Sequence, residues 1–114
     1  MRRTGKLDYL ELQAGGGRLD SVKAFYASVF GWSFTDYGPT YSAFDEGLEG
    51  GFSAEKDEAP AKPLPVIYSE NLDETFAAVE ASGVAILKPV FEFPGGWRFH
   101  FADPAGNELA VWGE

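Results

Sequence analysis

"FHFADPAGNELAVW", residues 99–112, reads as two short strands hinged on a tight turn. Pro104 presets the turn, Gly106 accepts a positive φ, and Asp103 and Asn107 can bond the nearby backbone. Side chains alternate across a strand, so Phe99 and Phe101 on the core side turn Arg98 and His100 to the opposite face. His100 is the single histidine of the chain.

Working outward, "VAILKPV" (84–90) and "WRFHFAD" (97–103) precede the last strand, "NELAVW" (107–112), and "VIYSE" (66–70) supplies a fourth. Between them, Asn71 followed by Glu74 resembles a capping box, Leu72, Thr75, Phe76 and Val79 form a helical apolar stripe, and Gly83 closes the helix. The order is βαβββ over about 66–113.

The first half repeats it over about 7–54. In "LDYLELQ" (7–13), Leu10 and Leu12 share one face while Tyr9, Glu11 and Gln13 share the other. Glycines 15–17 break the strand, and Asp20 is the expected N-cap of a helix whose Val22, Phe25, Tyr26, Val29 and Phe30 recur at helical spacing. Phe25, Tyr26 and Phe30 are expected in the core, Gly31 stops the helix, and Trp32 belongs to the core or to a dimer interface. Three β-prone pieces follow: "WSFTDY", "TYSAFDE" and "GGFSA". "EKDEAPAKPLP", residues 55–65, is charged and proline-rich and reads as a surface linker. Two matching modules in one single-domain chain suggest an internal duplication. With one helix per four strands, one sheet face stays open.

The chain has 114 residues and a formal net charge of -9, from 18 acids and nine bases. That field repels phosphate backbones, so nucleic acid is excluded as an expected partner. No apolar run approaches a membrane span, so no membrane partner is expected. The chain has no cysteine, which removes thiolate nucleophiles, disulfides and thiolate metal sites and suits a cytoplasmic setting.

"KAFYASVFGW" (23–32), "GGF" (50–52) and "DPAGNELAVW" (103–112) together resemble the vicinal oxygen chelate superfamily, the glyoxalase, bleomycin-resistance and dioxygenase group. The resemblance runs from about Leu7 to Trp112. It implies an α+β fold of two βαβββ modules forming a curved eight-stranded sheet cup, and a homodimer. The superfamily holds metal-dependent lyases, isomerases and dioxygenases beside metal-free binding proteins, so fold alone does not choose.

In metal-dependent relatives four ligands, mostly His and Glu, come from four strand positions. By the resemblance these fall on Glu11, Gly51 or Phe52, Leu64 or Pro65, and Ala110. Only Glu11 can donate, while a divalent site needs about three protein donors. No cofactor is therefore expected. A divalent metal held by an atypical set of Glu11, His100 and Glu108 is the alternative.

Glu11 and His100 are the candidate acid–base residues, provided they meet. Tyr9, Gln13, Tyr41, Arg98, Glu108 and Trp112 are the candidate ligand-binding residues, their rings and polar tips suiting a planar small organic molecule. The expected function is binding of such a molecule in a metal-free cup, with weak acid–base catalysis as an extension. The alternatives are a metal-dependent lyase or dioxygenase and an accessory dimeric interaction module.

Overall fold

A computed structural model describes residues 2–15, 18–55 and 62–114. The chain divides into two compact units: Tyr9–Leu64, and the N-terminal stretch through Asp8 together with Pro65–Glu114. Most of the expected linker, residues 56–61, lies outside the described residues.

The first module comprises β1 (Leu7–Gln13), α1 (Leu19–Phe30), β2 (Thr35–Asp36), β3 (Tyr41–Asp45) and β4 (Glu49–Ser53). Its strands lie in the order β2-β3-β4-β1. β1 runs parallel to β4, with Leu10 beside Gly50, Glu11 beside Gly51 and Leu12 beside Phe52. β3 is antiparallel to β4 and β2 to β3. Ala14, Leu19, Phe44 and Phe52 form the buried cluster, and Leu12, Val22, Tyr26, Trp32 and Phe34 pack on it. Trp32 is a core residue: its ring stacks on Tyr26 at 4.6 Å and lies 4.9 Å from Phe44.

Two expectations about α1 are corrected. Its N-cap is Arg18, which makes no side-chain capping bond. Asp20 sits inside the first turn, where its charge favours the positive end of the helix dipole. The helix also meets the sheet through a narrower stripe than its sequence allows, namely Leu19, Val22 and Tyr26. Phe25 and Phe30 are exposed rather than core, at 52% and 61%, and Val29 is exposed with them. Gly31 ends the helix as expected, in the left-handed conformation at φ 73°, donating its N–H to the Ala27 carbonyl.

The second module comprises β5 (Leu64–Tyr68), α2 (Leu72–Ala81), β6 (Ile86–Phe93), β7 (Gly96–Ala102) and β8 (Glu108–Gly113), in the order β5-β8-β7-β6. β5 starts two residues earlier than expected. Leu64 is 2% exposed and Val66 3%; this burial draws the end of the polar linker into the sheet. Asn71 caps α2 as expected: its side-chain oxygen accepts from the Glu74 N–H at 3.1 Å, and its amide donates back to the Glu74 carboxylate at 3.3 Å. β5 is parallel to β8, and β7 pairs antiparallel with β6 and β8. The N-terminal stretch adds to β5, with the Tyr68 N–H donating to the Lys6 carbonyl and Gly5 N–H to the Tyr68 carbonyl.

β7 fixes the module's centre. Phe99 is fully buried and meets Phe76 of α2 edge-on at 5.0 Å, so the helix side of the sheet is the Phe99 side. The period of two puts Arg98 and His100 on the opposite side. Both modules thus carry the expected βαβββ order in an α+β fold. Among the described residues, no helix is long and apolar enough to cross a membrane.

Phe99→Ala should lower stability by about 3–5 kcal/mol, the cost of emptying a sealed aromatic site. Leu48→Ala, on the exposed stretch between β3 and β4, should shift it by less than about 0.5 kcal/mol. Urea unfolding midpoints of the two variants check the contrast.

Candidate functional site

The second module gathers a ring-lined face opposite α2. Across from β8, Arg98 pairs with Trp112 and His100 with Ala110. Across from β6, Arg98 pairs with Phe91 and His100 with Lys88. The β6 pairing slips between Ile86 and Lys88 and again between Lys88 and Phe91, each slip adding a residue to β6. Such bulges re-aim side chains and are tolerated at a sheet edge, where Pro89 needs no amide partner.

The re-aimed rings enclose the two polar groups. The Phe91 and Phe93 rings lie 5.5 Å and 5.4 Å from the Arg98 guanidinium, within cation–π reach. Phe91 also lies 5.7 Å from the His100 ring at a 34° tilt. Trp112 continues the wall, 6.2 Å from Phe93 and 5.2 Å from Tyr68. Its indole N–H donates to Asp8 at 3.1 Å, and Arg2 both pairs with Asp8 at 2.9 Å and lies over the Trp112 ring at 5.1 Å.

His100 is 3% exposed, and its Nδ1 lies 2.8 Å from a carboxylate oxygen of the half-exposed Glu108. Burial holds the imidazole pKa below its ordinary 6.5; the Glu108 hydrogen bond and charge oppose this, while the charges of Arg98 and Lys88 add to it. The ring is therefore neutral at pH 7. A neutral ring bonded to a carboxylate must carry its proton on Nδ1, which donates to Glu108, leaving a lone pair on Nε2. That Nε2 is buried and has no hydrogen-bond partner among the described residues. Burying an acceptor unmatched costs about 1–3 kcal/mol.

In the first module, the side chains of Tyr9, Glu11 and Gln13 lie on the face away from Leu10 and Leu12. The Tyr9 and Tyr41 hydroxyls are hydrogen-bonded to each other. Burial pushes the Tyr9 phenol pKa up; the Tyr41 bond works against this, and the charge of Glu11 adds to it. Glu11 is buried at 7% exposure. Gln13 is exposed, and its side-chain oxygen accepts from the Gly15 N–H at 2.9 Å. Glu11 and His100 belong to different units.

The metal-ligand positions can be checked against the observed register. Gly51 stands beside Glu11, and a side chain at Gly51 would collide with both tyrosine hydroxyls. In the second module Ala110, the expected fourth position, stands beside Val66, and Leu64 and Pro65, the expected third, precede Val66 on β5. Glycine, valine and alanine offer no side-chain donor. Among the described residues, no three His, Asp or Glu groups lie close enough to hold a metal ion. The donor set does not fit a chelate centre.

The opening hairpin is structural at its tip. Asp103 accepts from the Ala105 and Asn107 amides at 2.8 Å and 2.9 Å and from the Asn107 side chain at 3.0 Å, and Gly106 adopts φ 88°. These bonds, those from Asn107 first, hold the Asp103 carboxyl below its usual range. Phe91, Phe93, Tyr68, Asp8 and Arg2 were not singled out from sequence. The only signal was the Phe91-x-Phe93 alternation before "PGG". A shallow depression of about 340 Å³ along α2, lined by Glu74, Thr75, Ala78, Val79 and Ser82, belongs to the helix side and offers no comparable chemistry.

His100 links folding to pH with a definite sign. Its folded pKa is depressed, so the unfolded chain binds a proton first as pH falls. The stability it confers is complete above about 6.5 and declines as pH drops toward the folded value. Asp103 and Asp36, also depressed, act only near and below about pH 4. The urea midpoint should therefore fall between pH 7.5 and 5.5, and His100→Gln should flatten that slope.

The family model of the Glyoxalase/Bleomycin resistance protein/Dioxygenase superfamily matches residues 6–111. A search of curated protein sequences found no significant match. Among solved structures, the chain is similar to an NAD-dependent benzaldehyde dehydrogenase from Legionella pneumophila (TM-score 0.74, 16% identity, covering 91% of this chain and 96% of that one). It is similar to methylmalonyl-CoA epimerase from Mycobacterium tuberculosis (0.73, 12%, 99% and 90%). It is also similar to the Mn(II)-bound glyoxalase from Novosphingobium aromaticivorans (0.65, 21%, 99% and 40%). At these identities the structures speak for the fold, and with the family model spanning nearly the whole sequence, the chain belongs to the glyoxalase/bleomycin resistance protein/dioxygenase superfamily.

Proposed function

We propose that this chain binds a small, planar organic molecule on the ring-lined face of its second module, without a metal ion. The observation that carries the reading is the buried His100, neutral and with an unmatched Nε2, beside Phe91 on the face where Phe93 and Trp112 also meet. Ring walls supply apolar contact area and one or two polar groups fix orientation, the usual division of labour in small-molecule sites. Arg98, braced by two rings, gives the face a cationic edge.

Metal independence is supported by the donor chemistry at Gly51, Val66 and Ala110. The working form in this reading is a homodimer in a reducing cytoplasm. Exposed Phe25, Val29 and Phe30 on α1 support it by offering apolar surface to a second copy. Sedimentation of the wild type against Phe30→Asp checks this: a dimer that the variant dissociates is expected, and a monomeric wild type contradicts it.

Thermal-shift screening of planar aromatic fragments tests the binding face. Stabilisation should persist in excess chelator and be lost in Trp112→Ala. Shifts that require an added divalent ion, or that survive Trp112→Ala, would contradict the reading.

A further inference from the structure

We propose that the molecule bound on the ring-lined face carries an uncharged hydrogen-bond donor in the plane of a flat ring, an N–H or O–H, which donates to His100 Nε2. The inference rests on the ligand face proposed above and adds the chemical class of its ligand. It is carried by the burial of one atom and by that atom's lack of a partner. His100 is 3% exposed, and its Nε2 has no hydrogen-bond partner among the described residues. Nδ1 donates to Glu108 at 2.8 Å, so Nε2 holds a lone pair in the ring plane and can only accept. A buried acceptor without a donor is a standing cost that a ligand's donor removes. A ligand's acceptor would leave that cost in place and set a second lone pair against the first.

The neighbours of the imidazole narrow the class. Phe91 meets it ring to ring at 5.7 Å and has no N–H or O–H to offer. Arg98 on β7 and Lys88 on β6 bring positive charge to bear on His100, yet neither donates to Nε2. Their charge excludes an ammonium or amidinium as the donor, because like charges brought together cost binding. The Glu108 carboxylate, which would attract a cation, bonds the other ring nitrogen. What remains is a neutral donor on a flat ring, a heteroaromatic N–H or an aromatic hydroxyl. Entry to the sealed atom falls to Phe91. It stands on the edge strand β6 at the second slip in pairing, and so yields more readily than Trp112 on the internal strand β8.

Indole and benzofuran test the class, since they share shape and ring area but carry an N–H donor and an oxygen acceptor at the same position. Each, with benzamidine as a cationic donor, is titrated at pH 7 into uniformly ¹⁵N-labelled wild-type protein. Binding is read from backbone amide shifts, while long-range ¹H–¹⁵N spectra follow the single imidazole. Indole should bind about tenfold more tightly than benzofuran and should move the Nε2 resonance upfield as the lone pair is engaged. Benzamidine should bind no better than benzofuran. His100→Asn keeps an N–H near the Nδ1 position and removes the acceptor, so the preference for indole should disappear in it; the wild-type titrations stand without that variant. Equal binding of indole and benzofuran, or indole bound with Nε2 unmoved, overturns the donor and leaves the ring-lined face standing. Benzamidine that binds as tightly as indole, or an indole preference that survives His100→Asn, also overturns the donor. Failure of all three probes to bind overturns the ligand face together with it.

Discussion

Strand β7 is buried on both faces, and the second module is built around that constraint. A strand covered on one side can place polar residues in water on the other. Here Phe99 is sealed against α2, while Arg98 and His100 are buried on the opposite face at 8% and 3% exposure. The polar residues then need company that does not come from solvent. Rings from β6 and β8 enclose them, and Glu108 takes one imidazole nitrogen. The remaining nitrogen, Nε2, is buried without a hydrogen-bond partner among the described residues.

The electrostatic logic follows from the same burial. A histidine beside a carboxylate in water would be expected to charge. In this setting desolvation outweighs the carboxylate, and Arg98 and Lys88 push the same way. The His100–Glu108 contact is thus a hydrogen bond from a neutral ring to an anion, although its 2.8 Å length would suit an ion pair equally well. In the first module, burial and the Glu11 charge likewise push the Tyr9 phenol pKa up, against the hydrogen bond from Tyr41. The two phenols occupy the room that a side chain at Gly51 would need.

What was legible in the sequence was what local physics decides. The Asn71–Glu74 cap, the Gly31 stop and the alternation through Phe99 and His100 are each set within a few residues, and each appears as read. What was not legible depended on partners distant in sequence or on the exact meeting of surfaces. The helical spacing of Phe25, Tyr26 and Phe30 marks a wide apolar face, but only the sheet's contour selects Leu19, Val22 and Tyr26 from it. The β-prone run "VAILKPV" reaches only to Val90, whereas the strand continues through two slips to Phe93. The bond from Trp112 to Asp8 spans 104 positions, beyond any local signal.

The state of one imidazole is the centre of this account, and a chain with a single histidine lets it be observed directly. Long-range ¹H–¹⁵N correlation spectra of uniformly ¹⁵N-labelled, untagged protein at pH 7 distinguish the two neutral tautomers from the charged ring. The account predicts a neutral ring protonated on Nδ1, with Nε2 resonating as an unprotonated nitrogen. A ring protonated on Nε2, or an imidazolium, would contradict it.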